Sequence, residues 1–266
     1  MKVALGRLAC AVGVLLTATQ PASADWDVSF FLGRAFPRFD EELVVRLPPV
    51  PAVPGLDIQA QGTPELRADG GPVAGGALAW EIGVFGIEGR IDVTDIGLDF
   101  TGARYDLRFD PPVFGVTGGS ITLGDGRFDA NRLKLLSLNL RLRTPGPVSL
   151  FGSGGLSYLP DFDVTGSVPI DFRLTGLPGQ AQPELGLRVA PGESKHRVGV
   201  NAGLGLRVGG RVAAFAEARV FYFREYELQI ELDDDQPFVN NVLNNVEPIR
   251  FEPVIANAVA GIVLRF

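Results

Sequence analysis

Three groupings of side chains in this sequence could do chemistry. Glu88, Arg90 and Asp92 alternate with other residues, so on a strand all three share one face and the guanidinium could exchange between two carboxylates. The single histidine, His196, follows Glu193 and Ser194, the residue types of a serine–histidine–acid hydrolase. Asp233-Asp234-Asp235 offers carboxylate oxygens of the kind that hold Ca²⁺. The last two weaken on their surroundings. Pro191-Gly192 marks the histidine's neighbourhood as loop, and no separate nucleophile motif accompanies it. The aspartate run lacks the spaced ligands and the glycine of a dedicated calcium loop. Gly118-Gly119 and Gly124-Asp125-Gly126 precede no helix, so they are turn signals rather than a phosphate cradle. The expectation is a protein with no catalytic, cofactor or metal residues, hence not an enzyme; a lipid-modifying enzyme built on His196 is the outlying reading.

The elements that must position Glu88 to Asp92 are alternating segments. The clearest runs to the last residue: Val254, Ala256, Ala258, Ala260, Ile262, Leu264 and Phe266 form one apolar row, and Asn257, Gly261 and Arg265 lie opposite. Arg132 to Arg143 does the same with Leu136, Leu138, Leu140 and Leu142 against Ser137, Asn139, Arg141 and Arg143. Leucines at every second position would circle a helix instead of striping it, so the run is a strand. Five further segments alternate in this way: Asp25 to Ala35, Ala74 to Gly83, Ile87 to about Thr94, Val148 to Tyr158 and His196 to Val208. Val212 to about Ile230 reads as one more, with an aromatic cluster at its end. Short turns at Val84-Phe85-Gly86, Thr144-Pro145-Gly146-Pro147 and Gly209-Gly210-Arg211 alternate with four long connections; the first, Phe36 to about Val73, is proline-rich and lacks periodicity. Parts of the second, Gly97 to Phe109 and Val113 to Leu123, alternate and extend the strands.

These rows predict an all-β fold: an eight-stranded antiparallel up-and-down transmembrane β-barrel with long extracellular loops. Strands of this length, tilted, cross a bilayer, and only a closed barrel leaves no unpaired sheet edge in lipid. The polar rows then face a shared lumen, which would hold Glu81, Glu88, Arg90, Asp92, Arg141, Arg207, Glu217, Arg219 and Arg265. An interior of that size is just filled by side chains, so a plug of ion pairs is expected. A gate, with Arg90 swapping between Glu88 and Asp92, is the sharper alternative. Trp26, Trp80, Tyr158, Tyr222, Tyr226 and Phe266 fit interfacial girdles.

The first residues agree. Lys2 and Arg7, the apolar run Leu8 to Thr19 and Ala22-Ser23-Ala24 have the layout of a signal peptide, with residues 1–24 removed and 25–266 forming the barrel. The only cysteine, Cys10, lies in the removed part. Arg7 stands where a lipoprotein site would want an aliphatic residue. A formal net charge of -7 argues against nucleic acid as a partner.

In the order and spacing of these pieces the chain resembles the small OmpA/OmpX-type outer-membrane β-barrels. The resemblance rests on the amino-terminal segment, Arg132 to Tyr158, Arg197 to Phe223 and the terminal Leu264-Arg265-Phe266. It implies an outer-membrane location in a Gram-negative envelope, lipid and lipopolysaccharide as surroundings, a basic rim near His196 meeting lipopolysaccharide phosphates, and Phe266 as the signal for the barrel assembly machinery. The implied function is a non-enzymatic envelope or surface-interaction role through the external loops; a narrow, porin-like channel or carrier for small solutes or apolar molecules is the alternative. The peptidoglycan-binding domain of OmpA-type proteins is not expected after the barrel, so cell-wall anchoring is not carried over.

Overall fold

Strands whose two faces differ this sharply must hide one face, and here they do so by closing on themselves. The computed structural model describes residues 24–38, 41–42, 56–113, 115–160, 164–175, 185–191, 196–232 and 249–266. The expected signal segment apart from Ala24, Glu193, Ser194 and Asp233-Asp234-Asp235 lie outside the described residues. In chain order the strands are β1 (Ala24–Arg38), β2 (Glu41–Glu42), β3 (Leu56–Gln61), β4 (Glu65–Ile82), β5 (Phe85–Thr101), β6 (Arg104–Val113), β7 (Val116–Leu123), β8 (Gly126–Arg143) and β9 (Val148–Leu159). They continue as β10 (Val164–Thr165), β11 (Ser167–Thr175), β12 (Leu185–Pro191), β13 (Arg197–Gly209), β14 (Val212–Phe223), β15 (Tyr226–Leu232), β16 (Ile249–Phe251) and β17 (Val254–Arg265).

Eight of them form the barrel, each antiparallel to both neighbours in the order β1-β17-β14-β13-β9-β8-β5-β4, with β4 returning to β1. Trp26 N–H donates to the Phe266 carbonyl and Phe266 N–H to the Trp26 carbonyl, which ties the chain end to the first strand. Short turns join β4 to β5, β8 to β9 and β13 to β14; Gly83 and Gly146 take φ of 64° and 112° in the first two, a region that disfavours side chains. The long connections all leave from the opposite end. Among their described residues, β3, β6, β7, β11, β12, β15 and β16 zip into a second, seven-stranded sheet in the order β16-β15-β12-β11-β7-β6-β3.

The barrel's outer wall is apolar. Leu138, Leu140, Leu150, Leu156, Leu204 and Val212 are each more than 60 % exposed, a surface unsuited to water. Trp26 and Trp80 lie side by side near the short-turn end, ring centroids 6.5 Å apart. Beyond the apolar rows at the other end the outward positions become charged or polar: Arg34, Asp95, Lys134, His196, Arg224 and Glu252 are exposed.

Three sequence expectations change. The stretch up to Val73 is not all loop: β4 starts at Glu65 and β3 precedes it. The register of β4 against β5 shifts between Gly70 and Val73, and that of β8 against β5 shifts opposite Thr94 and Ile96. Each shift turns the inward row from odd to even residues, so a continuous strand shows no continuous alternation. The segment Val212 to Ile230 is two strands, parted at Arg224-Glu225. The third long connection, Leu159 to about Lys195, in which the sequence marks no strand, contains β10, β11 and β12.

Candidate functional site

The inward rows fill the lumen in two layers of different character. Nearer the short turns the filling is ionic, interleaved with a buried apolar cluster that includes Phe31, Phe151, Phe215 and Val263. Glu81, Glu88, Arg90, Asp92, Arg141, Arg207, Glu217 and Arg219 are buried, and Arg265 is partly so. Alternation alone delivers them there: Glu88, Arg90 and Asp92 from β5, Glu217 and Arg219 from β14, Arg141 from β8, Arg207 from β13, Glu81 from β4 and Arg265 from β17.

One part of this filling centres on Glu217. Arg90 holds Asp92 with two parallel bonds, Nε to Oδ2 at 2.8 Å and Nη2 to Oδ1 at 2.9 Å. Its Nη1 donates to Glu217 Oε2 at 2.5 Å. Arg219 takes the other oxygen, Nε and Nη2 lying 3.0 and 2.7 Å from Glu217 Oε1. Nη2 also donates to Glu88 Oε1 at 2.9 Å and Ser153 Oγ at 2.7 Å, and Nη1 to Asn201 Oδ1. Asn139 Nδ2 donates to the same Glu88 oxygen at 3.0 Å. Charge-assisted, bidentate bonds of this kind are the strongest available to buried side chains, and they offset the desolvation of the charges. Gly203 makes the arrangement possible: a Cβ there would overlap the Glu217 carboxylate and press on Arg219.

The other part lies at the short-turn end. Arg265 holds Asp27 through Nε and Nη2, both at 2.9 Å, and reaches Glu81 Oε2 at 2.7 Å. Arg207 Nη1 donates to Asp27 Oδ2. Arg143 Nη2 is 3.2 Å from Glu81 Oε2. Arg141 joins the two parts loosely: Nε is 3.7 Å from Glu81 Oε1 and Nη1 3.5 Å from Glu88 Oε2, with the guanidinium 4.3 Å over the Phe151 ring. These contacts lie outside hydrogen-bonding distance. The arginine suspended between two carboxylates is thus Arg141. Arg90 hydrogen-bonds Asp92 and Glu217 and makes no hydrogen bond to Glu88, which Arg219 holds.

Nearer the long connections the interior turns apolar. Leu133, Leu135, Leu159, Phe221, Phe223 and Ile255 are at most 1 % exposed and join a core that continues to Phe100, Tyr105, Leu123, Phe128 and Val168. Burial raises the pKa of the Tyr105 hydroxyl. This layer, and the roles of Asp27, Arg143 and Asn201, were not singled out as site features in the sequence. Asp27 was nonetheless readable, since Trp26, Val28 and Phe30 already assign it to the inward row.

His196 stacks on Tyr158, centroids 6.1 Å apart, and its Nδ1 lies 3.2 Å from the Tyr158 hydroxyl and 2.5 Å from the Pro160 carbonyl oxygen. It sits at the outer rim, facing none of the lumen charges.

No family model matches the chain, and no curated protein matches it by sequence. Among solved structures, it is similar to the outer membrane protein OprG from Pseudomonas aeruginosa, at 13% identity and a TM-score of 0.45, covering 92% of this chain and 97% of that one. It is also similar to the outer membrane protease OmpT from Escherichia coli, at 10% identity and a TM-score of 0.34, covering 95% of this chain and 100% of that one.

Proposed function

We propose that this chain is an integral outer-membrane β-barrel of the small OmpA/OmpX type, not an enzyme, serving envelope integrity or surface interaction through the β-structured connections at its outer end. The observation that carries the reading is the inversion of the barrel: its outer wall is leucine, valine, phenylalanine and alanine, while its charges pair inside. A soluble barrel would have the opposite arrangement. The ionic layer capped by an apolar one supports a plug rather than a pore. Residues 1–24 would deliver the chain to the envelope, and Phe266, exposed at the chain end, would be read by the assembly machinery. Lipid and lipopolysaccharide would surround the wall, with Arg34, Lys134 and Arg132 at headgroup height.

Expression in a Gram-negative host tests this. The protein should fractionate with outer membranes, need detergent for extraction, and migrate differently on gels before and after boiling. Recovery as a soluble monomer without detergent would overturn it.

A narrow channel is the second reading, and the loose Arg141 contacts favour it. Planar-bilayer recordings separate the two: steady conductance that changes in Glu81→Gln or Glu88→Gln would replace the plug by the channel.

A further inference from the structure

The donors in the ionic lumen are not all used. Arg207 is 1 % exposed and Ser149 1 %, yet Arg207 Nε and Ser149 Oγ have no hydrogen-bond partner, and neither does Arg143 Nε. The three come from adjacent strands. Ser149 on β9 is the direct cross-strand partner of Arg207 on β13, and on the other side β9 pairs with β8, where Arg143 opposes Phe151 two residues further on. Arg143 and Arg207 feel one another's charge as well as that of Arg265. Ser149 thus stands on the strand between the two that carry these arginines, and buried donors left unsatisfied are costly unless an acceptor completes them.

The balance of charge gives the acceptor its sign. In the buried ion-pair network Arg90, Arg141, Arg143, Arg207, Arg219 and Arg265 stand against Asp27, Glu81, Glu88, Asp92 and Glu217, one guanidinium more than carboxylates before Asp25 is counted. Asp25, 3.9 Å from Arg265, is the nearest further carboxylate and stands at the rim with its side chain 34% exposed. Of the carboxylates of this end, Asp27 is held from the β17 side by Arg265, and Glu81 gives Oε2 to Arg265 and Arg143 and leaves Oε1 without a hydrogen-bond partner. Arg143, with a side chain 13% exposed against 1% for Arg207, is the more accessible of the two guanidiniums.

We infer that Arg143, Ser149 and Arg207 form a binding site for one small inorganic anion, a halide or phosphate, entered from the short-turn mouth of the barrel. The anion would accept from the two Nε–H groups and the serine hydroxyl, and its negative charge would offset the excess guanidinium. Nothing in the site reacts with it; the site binds and holds.

Titration calorimetry on the purified, folded barrel in zwitterionic detergent tests the site, with sodium phosphate and sodium chloride as separate probes against a gluconate background of constant ionic strength. One anion should bind per chain. Ser149→Ala, which preserves every charge, and Arg143→Gln, which removes the accessible guanidinium, should each weaken it about tenfold or more, the effect of losing one charge-assisted bond. Phosphate binding with no chloride binding would make the site an oxyanion site, and competition between the two a general one; either supports the assignment. Absence of one-to-one binding in the unmodified chain would overturn it. So would binding that is unchanged in both variants while their gel migration shows them folded.

Discussion

Replacing Arg219 by methionine removes the guanidinium that joins Glu217 to Glu88 and keeps an unbranched chain of similar reach. In the native lumen Arg219, 1 % exposed, satisfies one oxygen of Glu217 and one of Glu88 and also bonds Asn201 and Ser153. Glu217 would keep Arg90 on its other oxygen. Glu88 would keep Asn139 and the 3.5 Å contact with Arg141. Breaking a buried ion pair from one side costs roughly 3–5 kcal/mol, because a charge is left behind in a poor solvent. With a urea dependence of roughly 2 kcal/mol/M, the unfolding midpoint should fall by about 2 M. Reversible urea unfolding of the barrel in lipid vesicles, followed by the emission of Trp26 and Trp80, measures it. Adding Glu88→Gln to Arg219→Met should restore a large part of the loss, since the second change removes the stranded charge. A midpoint within about 0.5 M of the native value for Arg219→Met, roughly 1 kcal/mol on that slope, would refute the claim that these ion pairs hold the barrel's interior together.

Four other outcomes follow from the same geometry. Leu138→Arg, at a wall position 62% exposed, should destabilise the membrane-embedded barrel by about 2–4 kcal/mol. Asn139→Arg beside it should act differently, crowding Glu88 and Asn201 inside, and equal urea shifts in the two would count against the facing assigned to β8. Gly203→Val should prevent or slow assembly, seen as loss of the heat-modifiable gel band, because its side chain would enter the space of Glu217 and Arg219. Phe223→Ala should open a cavity in the apolar layer worth about 3–5 kcal/mol, read in the same urea assay. If the layer seals the outer end, that variant should also admit small hydrophilic quenchers to the lumen.

The barrel strands were legible because membrane and lumen impose opposite requirements on successive residues. Leu136 to Leu142 and Val254 to Leu264 could hardly be read another way. The lumen charges were legible as a set for the same reason. Their pairing was not: the sequence neighbours Glu88 and Asp92 suggested one partner set for Arg90, but Glu217, distant in sequence, takes the place of Glu88. Pairing across a lumen depends on stagger between strands, which period-two patterns do not encode. The outer strands were hidden for a different reason. The extra residue at Gly70–Val73, and its counterpart on β8, reverses the inward parity, and prolines such as Pro72 and Pro169 break the composition expected of a strand.

The seven-stranded outer sheet joins each long connection to the next, through β15 and β12, β11 and β7, and β6 and β3. Hairpins that would otherwise vary independently therefore share hydrogen bonds with their neighbours. Shortening one would strand the backbone of the next, so lengths at this tip must change in concert. Any antibody or phage protein that recognises this tip would meet a composite epitope drawn from separate parts of the chain, and a synthetic peptide copied from one connection would reproduce only a fragment of it.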